Sequence, residues 1–287
     1  MCEGHAADDK SAISKLMLRV YTRWVDDTLD FYLFLGRMGK VPLIGGVIRF
    51  FAGQYGKYLH GGRVATVEEC LLIIAGAKRF TVADCACRKK FGKCEKPLKT
   101  CLGIDTGAEV FEEVKNERFI TREEAVEVIK KSYDQGLIRS VTHCVTPNLY
   151  VICNCCTCCC VPYRLRSEFG IENAVEKGNL VARLDSSRCR RCFKCVESCP
   201  EKAIFPDDGS VDTRKCLGCG LCLRSCEHRA LTMVLRVGPT ALAIPGTVKV
   251  ILMYAAFFLV VLPLAVTFKL NRSGLFGSKP QRPETPD

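Results

Sequence analysis

No export signal opens this sequence. Its first residues, M-C-E-G-H-A-A-D-D-K, lack the basic start and apolar core of a secretory leader, and no twin-arginine pair occurs there. A chain without that route is expected to stay in a reducing compartment, where clustered thiols read as metal ligands rather than disulfides. Blocks of like charge are also missing, as are a basic-aromatic stripe and any nucleic-acid reader motif. The formal charge of +11 therefore does not point to nucleic acid. No Gly-rich phosphate loop, nucleophile elbow or paired-carboxylate site is present, which removes the usual signatures of nucleotide binding and hydrolysis.

What the chain has instead is sulfur: 21 cysteines in 287 residues, an odd total that suits a complete disulfide framework poorly. The densest run is V-I-C-N-C-C-T-C-C-C, carrying Cys153, Cys155, Cys156, Cys158, Cys159 and Cys160. Upstream, D-C-A-C-R-K-K-F-G-K-C-E-K-P-L-K-T-C supplies Cys85, Cys87, Cys94 and Cys101. Adjacent cysteines point in divergent directions, so Cys155-Cys156 and Cys158-Cys159 cannot all reach one tetrahedral metal without strain; two centres or one large cluster would take them. Paired C-x2-C knuckles typical of zinc are absent here, and further iron–sulfur clusters are expected ahead of zinc, a redox-active dithiol or inert thiols. Cys2, Cys70 and Cys144 are left out of the metal set; Cys70 lies on the apolar side of a helix and reads as core. His143, beside Cys144, is a possible ligand but reads first as a structural histidine.

Residues 180–237 contain a repeat with a period of 27. S-S-R-C-R-R-C-F-K-C-V-E-S-C-P-E-K-A-I aligns with T-R-K-C-L-G-C-G-L-C-L-R-S-C-E-H-R-A-L. The first copy, Cys189, Cys192, Cys195 and Cys199, is C-x2-C-x2-C-x3-C-P; the second is Cys216, Cys219, Cys222 and Cys226, followed by Glu227-His228 where proline is usual. This segment resembles the bacterial two-cluster [4Fe–4S] ferredoxins, in which the fourth cysteine of each copy ligates the other cluster. The resemblance implies one cubane on Cys189, Cys192, Cys195 and Cys226, and another on Cys216, Cys219, Cys222 and Cys199. Each oxidised cubane carries about −2, so two would bring the net charge to roughly +7. Arg188, Arg190, Arg191 and Lys194 beside one set, and Arg214, Lys215 and Arg224 beside the other, would favour the reduced cluster or attract an acidic partner. The wider layout, a C-x-C-R segment and an N-C-C-x-C-C segment ahead of a dicluster ferredoxin, looks like uncharacterised iron–sulfur proteins of anaerobes.

Elsewhere the periodicity predicts an amphipathic helix over residues 11–35, with Ile13, Leu16, Met17, Val20, Tyr21 and Trp24 on one face. The apolar but interrupted stretch that follows suits either a lipid interface or packing on the next domain. Capping boxes at Thr66–Glu69 and Thr121–Glu124 open two helices. Residues 79–84 read as a strand, and residues 137–145 with 149–153 as a hairpin. Val250 to Phe268 is uncharged and long enough to span a bilayer.

The expected fold is α+β: an N-terminal region (1–62), a Cys-rich α+β domain (63–179), a ferredoxin-like dicluster domain (180–237), a transmembrane helix (244–270) and a polar tail (271–287). The expected protein is a single-pass electron carrier of the cell membrane, its metal domains in the cytoplasm although the flanking charges favour the opposite orientation. Its partners would be a membrane or soluble oxidoreductase and the bilayer, not nucleic acid. One alternative makes the Cys-rich domain a catalytic centre fed by the ferredoxin; another makes the protein a redox or metal sensor.

Overall fold

The computed structural model describes residues 12–58, 60–144 and 149–236. Three helices come first: α1 (Ala12–Arg23), α2 (Val25–Met38) and α3 (Gly45–Tyr58). The helix expected over 11–35 is thus two, broken at Trp24. The face that α1 buries also differs from the expected one. Leu18 is 1% exposed, whereas Leu16, Val20 and Trp24 are each more than half exposed. The reason lies in the partner helix, α6 (Thr106–Lys115), which presents Glu109 and Glu113. Lys15 meets Glu109 at 2.6 Å and Arg19 meets Glu113 at 2.7 Å, one turn apart on each helix. Charge complementarity around Leu18 sets the orientation, and periodicity read from α1 alone could not contain it.

The centre of the molecule is a six-stranded antiparallel sheet ordered β1-β5-β6-β3-β2-β4. Its strands are β1 (His60–Ala65), β2 (Phe80–Asp84), β3 (Lys99–Ile104), β4 (Phe119–Ile120), β5 (Ile138–Cys144) and β6 (Leu149–Cys155). Both capping boxes form, at Thr66 for α4 (Val67–Gly76) and at Thr121 for α7 (Arg122–Asp134). These helices cover one face of the sheet, burying Ile74, Phe80, Leu102, Ile129 and Ile152; Cys70 is core there, its thiol pushed up to about 12 by burial. Strand alternation sends the neighbouring residues, Cys101, Val151 and Cys153, to the other face beside α1 and α6. Gly107 lets α6 approach closely, since a Cβ there would lie 1.9 Å from the Tyr150 carbonyl oxygen.

Two short helices, α5 (Ala86–Phe91) and α8 (Val161–Ser167), start directly after Cys85 and Cys160. The repeat module follows: β7 (Leu180–Leu184), α9 (Lys194–Glu197), α10 (Leu221–Arg224) and β8 (Leu231–Leu235), with β7 and β8 antiparallel. Its copies match in backbone as well as sequence. Positive φ recurs 27 positions apart at Arg191 and Gly218, Phe193 and Gly220, Lys202 and Arg229. The first copy adopts this αL conformation with ordinary side chains, which cost more there than glycine.

Among the described residues no helix is long and apolar enough to cross a membrane, and the architecture is mixed α/β. The longest, α2 and α3, have 14 residues each, about 21 Å against a hydrocarbon core of about 30 Å. The expectations of a C-terminal transmembrane helix and single-pass membrane placement are corrected to that extent; residues 244–270 lie outside the described residues.

Truncating the caps and the core should separate their contributions. Thr66→Ala and Thr121→Ala should each cost about 1 kcal/mol, and Ile129→Ala about 2–5 kcal/mol, measured by urea unfolding of the intact protein. Equal losses at all three positions would refute this account.

Candidate metal centres

Within the repeat module the eight cysteines fall into two sets, each around its own cavity. Cys189, Cys192, Cys195 and Cys226 line one; Cys199, Cys216, Cys219 and Cys222 line the other. The crossing-over of Cys199 and Cys226 follows from β7–β8 pairing, which folds each copy's last cysteine beside the other copy. The backbone N–H of Ala203 donates to Cys199 Sγ at 3.2 Å, and that of Ala230 to Cys226 Sγ at 3.3 Å, again 27 residues apart. Donors aimed at sulfur stabilise thiolate charge, so the residues suit thiolate-held clusters. Cys192 is exposed, whereas Cys216, Cys219 and Cys222 are buried. Glu227, which replaces the usual proline, pairs with Lys194 at 2.5 Å and ties the second copy to the first.

The ten upstream thiols divide into two unlike groups. Cys94, Cys156, Cys158 and Cys159 converge so that all four sulfurs lie within 4.8 Å of one another. Cys94–Cys159 is 4.0 Å and Cys158–Cys159 is 3.8 Å. Four thiolates at about 2.3 Å from one tetrahedral ion stand about 3.8 Å apart, whereas a cubane holds each thiolate on a different iron and spreads them wider. The quartet therefore has the dimensions of a single-ion site. Two adjacent residues, Cys158 and Cys159, both reach it; Cys155 does not. The N–H of Lys93 donates to Cys159 Sγ at 3.3 Å.

The remaining six, Cys85, Cys87, Cys101, Cys153, Cys155 and Cys160, line a different space, a cavity of about 240 Å³ between the sheet and the N-terminal helices. Five interact in succession: Cys101 with Cys153, Cys153 with Cys155, Cys155 with Cys160, Cys160 with Cys87. Interaction with Cys101 and Cys155 holds Cys153 well below the usual thiol range, and interaction with Cys155 and Cys87 does the same for Cys160. Burial pushes Cys85 up to about 11. His143 is not among the residues lining this space, and the side chain of Cys144 lies outside the description.

Two arginines complete the arrangement, and neither hydrogen-bonds a carboxylate among the described residues. Arg88, 2% exposed, donates to the Pro97 and Asn154 carbonyl oxygens at 2.9 and 3.1 Å and to Thr100 Oγ1, with Cys85, Cys155 and Cys156 around it. It stands between the quartet and the chain of thiols. Arg139, fully buried, donates to the carbonyls of Leu137 and Cys219 and lies 4.8 Å from the Tyr133 ring centre. Cys155, Cys160 and Cys219 share one buried cluster, so the chain of thiols and one ferredoxin-like set meet without a solvent layer. Arg88 was visible in the C-x-C-R motif, but Arg139 lies 80 residues from its partner and has no local signal.

Also lining the cavity, His60 Nε2 and Tyr150 Oη are 3.0 Å apart, and the Tyr21 ring sits 4.1 Å from that of His60. Sequence reasoning missed this cluster because its members are up to 129 positions apart.

Residues 181–227 match the family of 4Fe–4S dicluster domains. Neither a curated protein nor a solved structure matches the chain. The chain thus carries a 4Fe–4S dicluster domain, and that domain indicates an iron–sulfur electron-transfer role.

Burial pushes His60 down to about 3, and burial also lowers His143. The unfolded chain binds these protons first, so stability should be full above about pH 6.5 and fall as pH drops toward 3. His60→Gln should flatten part of that slope in urea unfolding followed from pH 7.5 to 4. An unchanged slope would place His60 in water.

Proposed function

We propose that the protein is an iron–sulfur electron-transfer protein. One [4Fe–4S] cluster sits on Cys189, Cys192, Cys195 and Cys226, and the other on Cys199, Cys216, Cys219 and Cys222. These clusters supply one-electron redox chemistry; the chain supplies their ligands, burial and electrostatics. The observation that carries the reading is the shared core of Cys219 with Cys155 and Cys160, backed by Arg139 on the Cys219 carbonyl. It gives electrons a dry route from the dicluster domain into the Cys-rich one. The outer set, with exposed Cys192 among exposed Arg188, Arg190 and Arg191, faces a redox partner with an acidic surface.

In the Cys-rich domain, Cys94, Cys156, Cys158 and Cys159 hold one tetrahedral ion, zinc or iron. Cys85, Cys87, Cys101, Cys153, Cys155 and Cys160 hold a further iron–sulfur cluster. A second reading, an oxidoreductase whose catalytic centre is the Cys-rich domain, is favoured by one observation: those six thiols line a cavity rather than a closed packing.

Anaerobic purification with iron, zinc and sulfide quantitation and electron paramagnetic resonance tests this. The full chain should hold more than the about eight irons that two cubanes account for. Cys153→Ser with Cys155→Ser should return iron to about that level. Cys94→Ser should release about one metal ion without loss of sulfide. Sulfide loss in Cys94→Ser would refute the single-ion site, and about eight irons in the unaltered chain would refute the further cluster.

A further inference from the structure

The space that the six thiols line is larger than their own packing needs, and its other walls are built for a guest. Beside the cysteines the lining is largely aromatic and aliphatic, with Tyr21, Tyr32, Tyr55, Tyr150, Leu29 and Ile171. No carboxylate lines it, and its one ammonium, Lys115, lies 4.8 Å from the Phe111 ring centre. An organic anion entering would lose its hydration with little to replace it. His60 is also uncharged near neutrality, since burial holds it low.

The polar groups on these walls are mostly spoken for. Tyr32 and Tyr55 pair through their hydroxyls at 3.0 Å, and Tyr150 pairs with His60. Three atoms are not. Thr22 Oγ1 on α1, Ser140 Oγ on β5 and Asn154 Oδ1 on β6 are buried, belong to residues that line the space, and have no hydrogen-bond partner among the described residues. Ser140 sits opposite Cys153 in the strand register and therefore projects from the same sheet face as that thiol. Buried hydroxyls left unpaired are costly, and two at one cavity point to a molecule that completes them. A cavity of about 150 Å³ lined by aliphatic and aromatic side chains takes benzene; this one, about 240 Å³ for the protein alone, has room for one ring with a substituent, and a cluster on the six thiols would take part of that space.

We propose that this chamber binds a small, neutral, monocyclic molecule bearing one hydroxyl or carbonyl group, which Thr22 and Ser140 hydrogen-bond while its ring lies against the six-thiol wall. The proposal deepens the second reading above and rests on it for the role of the bound molecule; binding itself does not need the cluster to be assigned.

Equilibrium dialysis on the anaerobically purified full chain, with metals quantified in each sample, decides it. Phenol is the probe, toluene the isostere without the hydroxyl, and benzoate the anion. Phenol should bind saturably, and benzoate at least tenfold more weakly. Thr22→Val and Ser140→Ala should each weaken phenol about three- to tenfold while leaving toluene within twofold. Ala52→Phe, which fills the space from α3, should abolish binding of both neutral probes. Should that variant fail to fold, the Thr22 and Ser140 pair still decides, because a merely structural role would move phenol and toluene together. The proposal is overturned if neither neutral probe saturates, or if Thr22→Val and Ser140→Ala leave phenol unchanged. It is also overturned if Ala52→Phe sheds iron while the unaltered protein binds no phenol, for then the metal centre fills the chamber. Phenol binding as expected in a chain holding only about eight irons would refute the further cluster and leave the chamber standing.

Discussion

Two guanidinium groups are buried in this protein with no carboxylate hydrogen-bonded to them among the described residues, and cysteines lead the ionisable groups around each. Arg88 and Arg139 are essentially without solvent contact. A buried charge with no counter-charge is among the most unfavourable arrangements a fold can hold. Arg88 spends its donors on two carbonyls and a threonine hydroxyl; Arg139 reaches the Cys219 carbonyl and the Tyr133 ring. Each cation sits where sulfur ligands gather. Thiolates at those positions would answer both cations, and the sheet, the two short helices and the repeat module bring the two kinds of group together.

The sheet then sorts the sulfur. Because alternate residues of a strand face opposite ways, β3 and β6 send Leu102 and Ile152 into the α4–α7 core and Cys101 and Cys153 toward the cavity. Past the end of β6 the chain turns, and the alternation no longer applies. Cys156, Cys158 and Cys159 swing toward Cys94 while Cys160 returns to the cavity. A run of cysteines that looks uniform in one dimension is thereby divided between a compact quartet and an open wall. That division matters chemically, because four sulfurs within 4.8 Å of one another match the span of one tetrahedral ion, whereas the other six line a cavity.

Much of the local structure was legible without coordinates. Thr66 and Thr121 followed three residues later by glutamate could only be helix starts, and both are. The 27-residue period foretold a doubled backbone, and positive φ recurs at that interval. The first helix shows where such reading stops. Its apolar face is real, yet α1 docks through Lys15, Leu18 and Arg19, because α6 offers acids. Periodicity describes a helix; it says nothing of the charge on the element it meets. His60, Tyr150, Thr22 and Ser140 were illegible for a related reason, since none belongs to a motif and only packing assembles them.

By itself, the sequence determined the ligand-bearing segments, the two capping boxes and the repeat, all of which are encoded within a few residues of one another. Short-range spacing is enough for these, because three cysteines at C-x2-C-x2-C can reach one cluster whatever the rest of the chain does. Only the tertiary structure decided how the ten upstream thiols divide, which arginines stand among them, and that six line a chamber. Those outcomes depend on strand register and on which helices close over the sheet. Both are set by contacts between residues dozens of positions apart, so no window of sequence contains them.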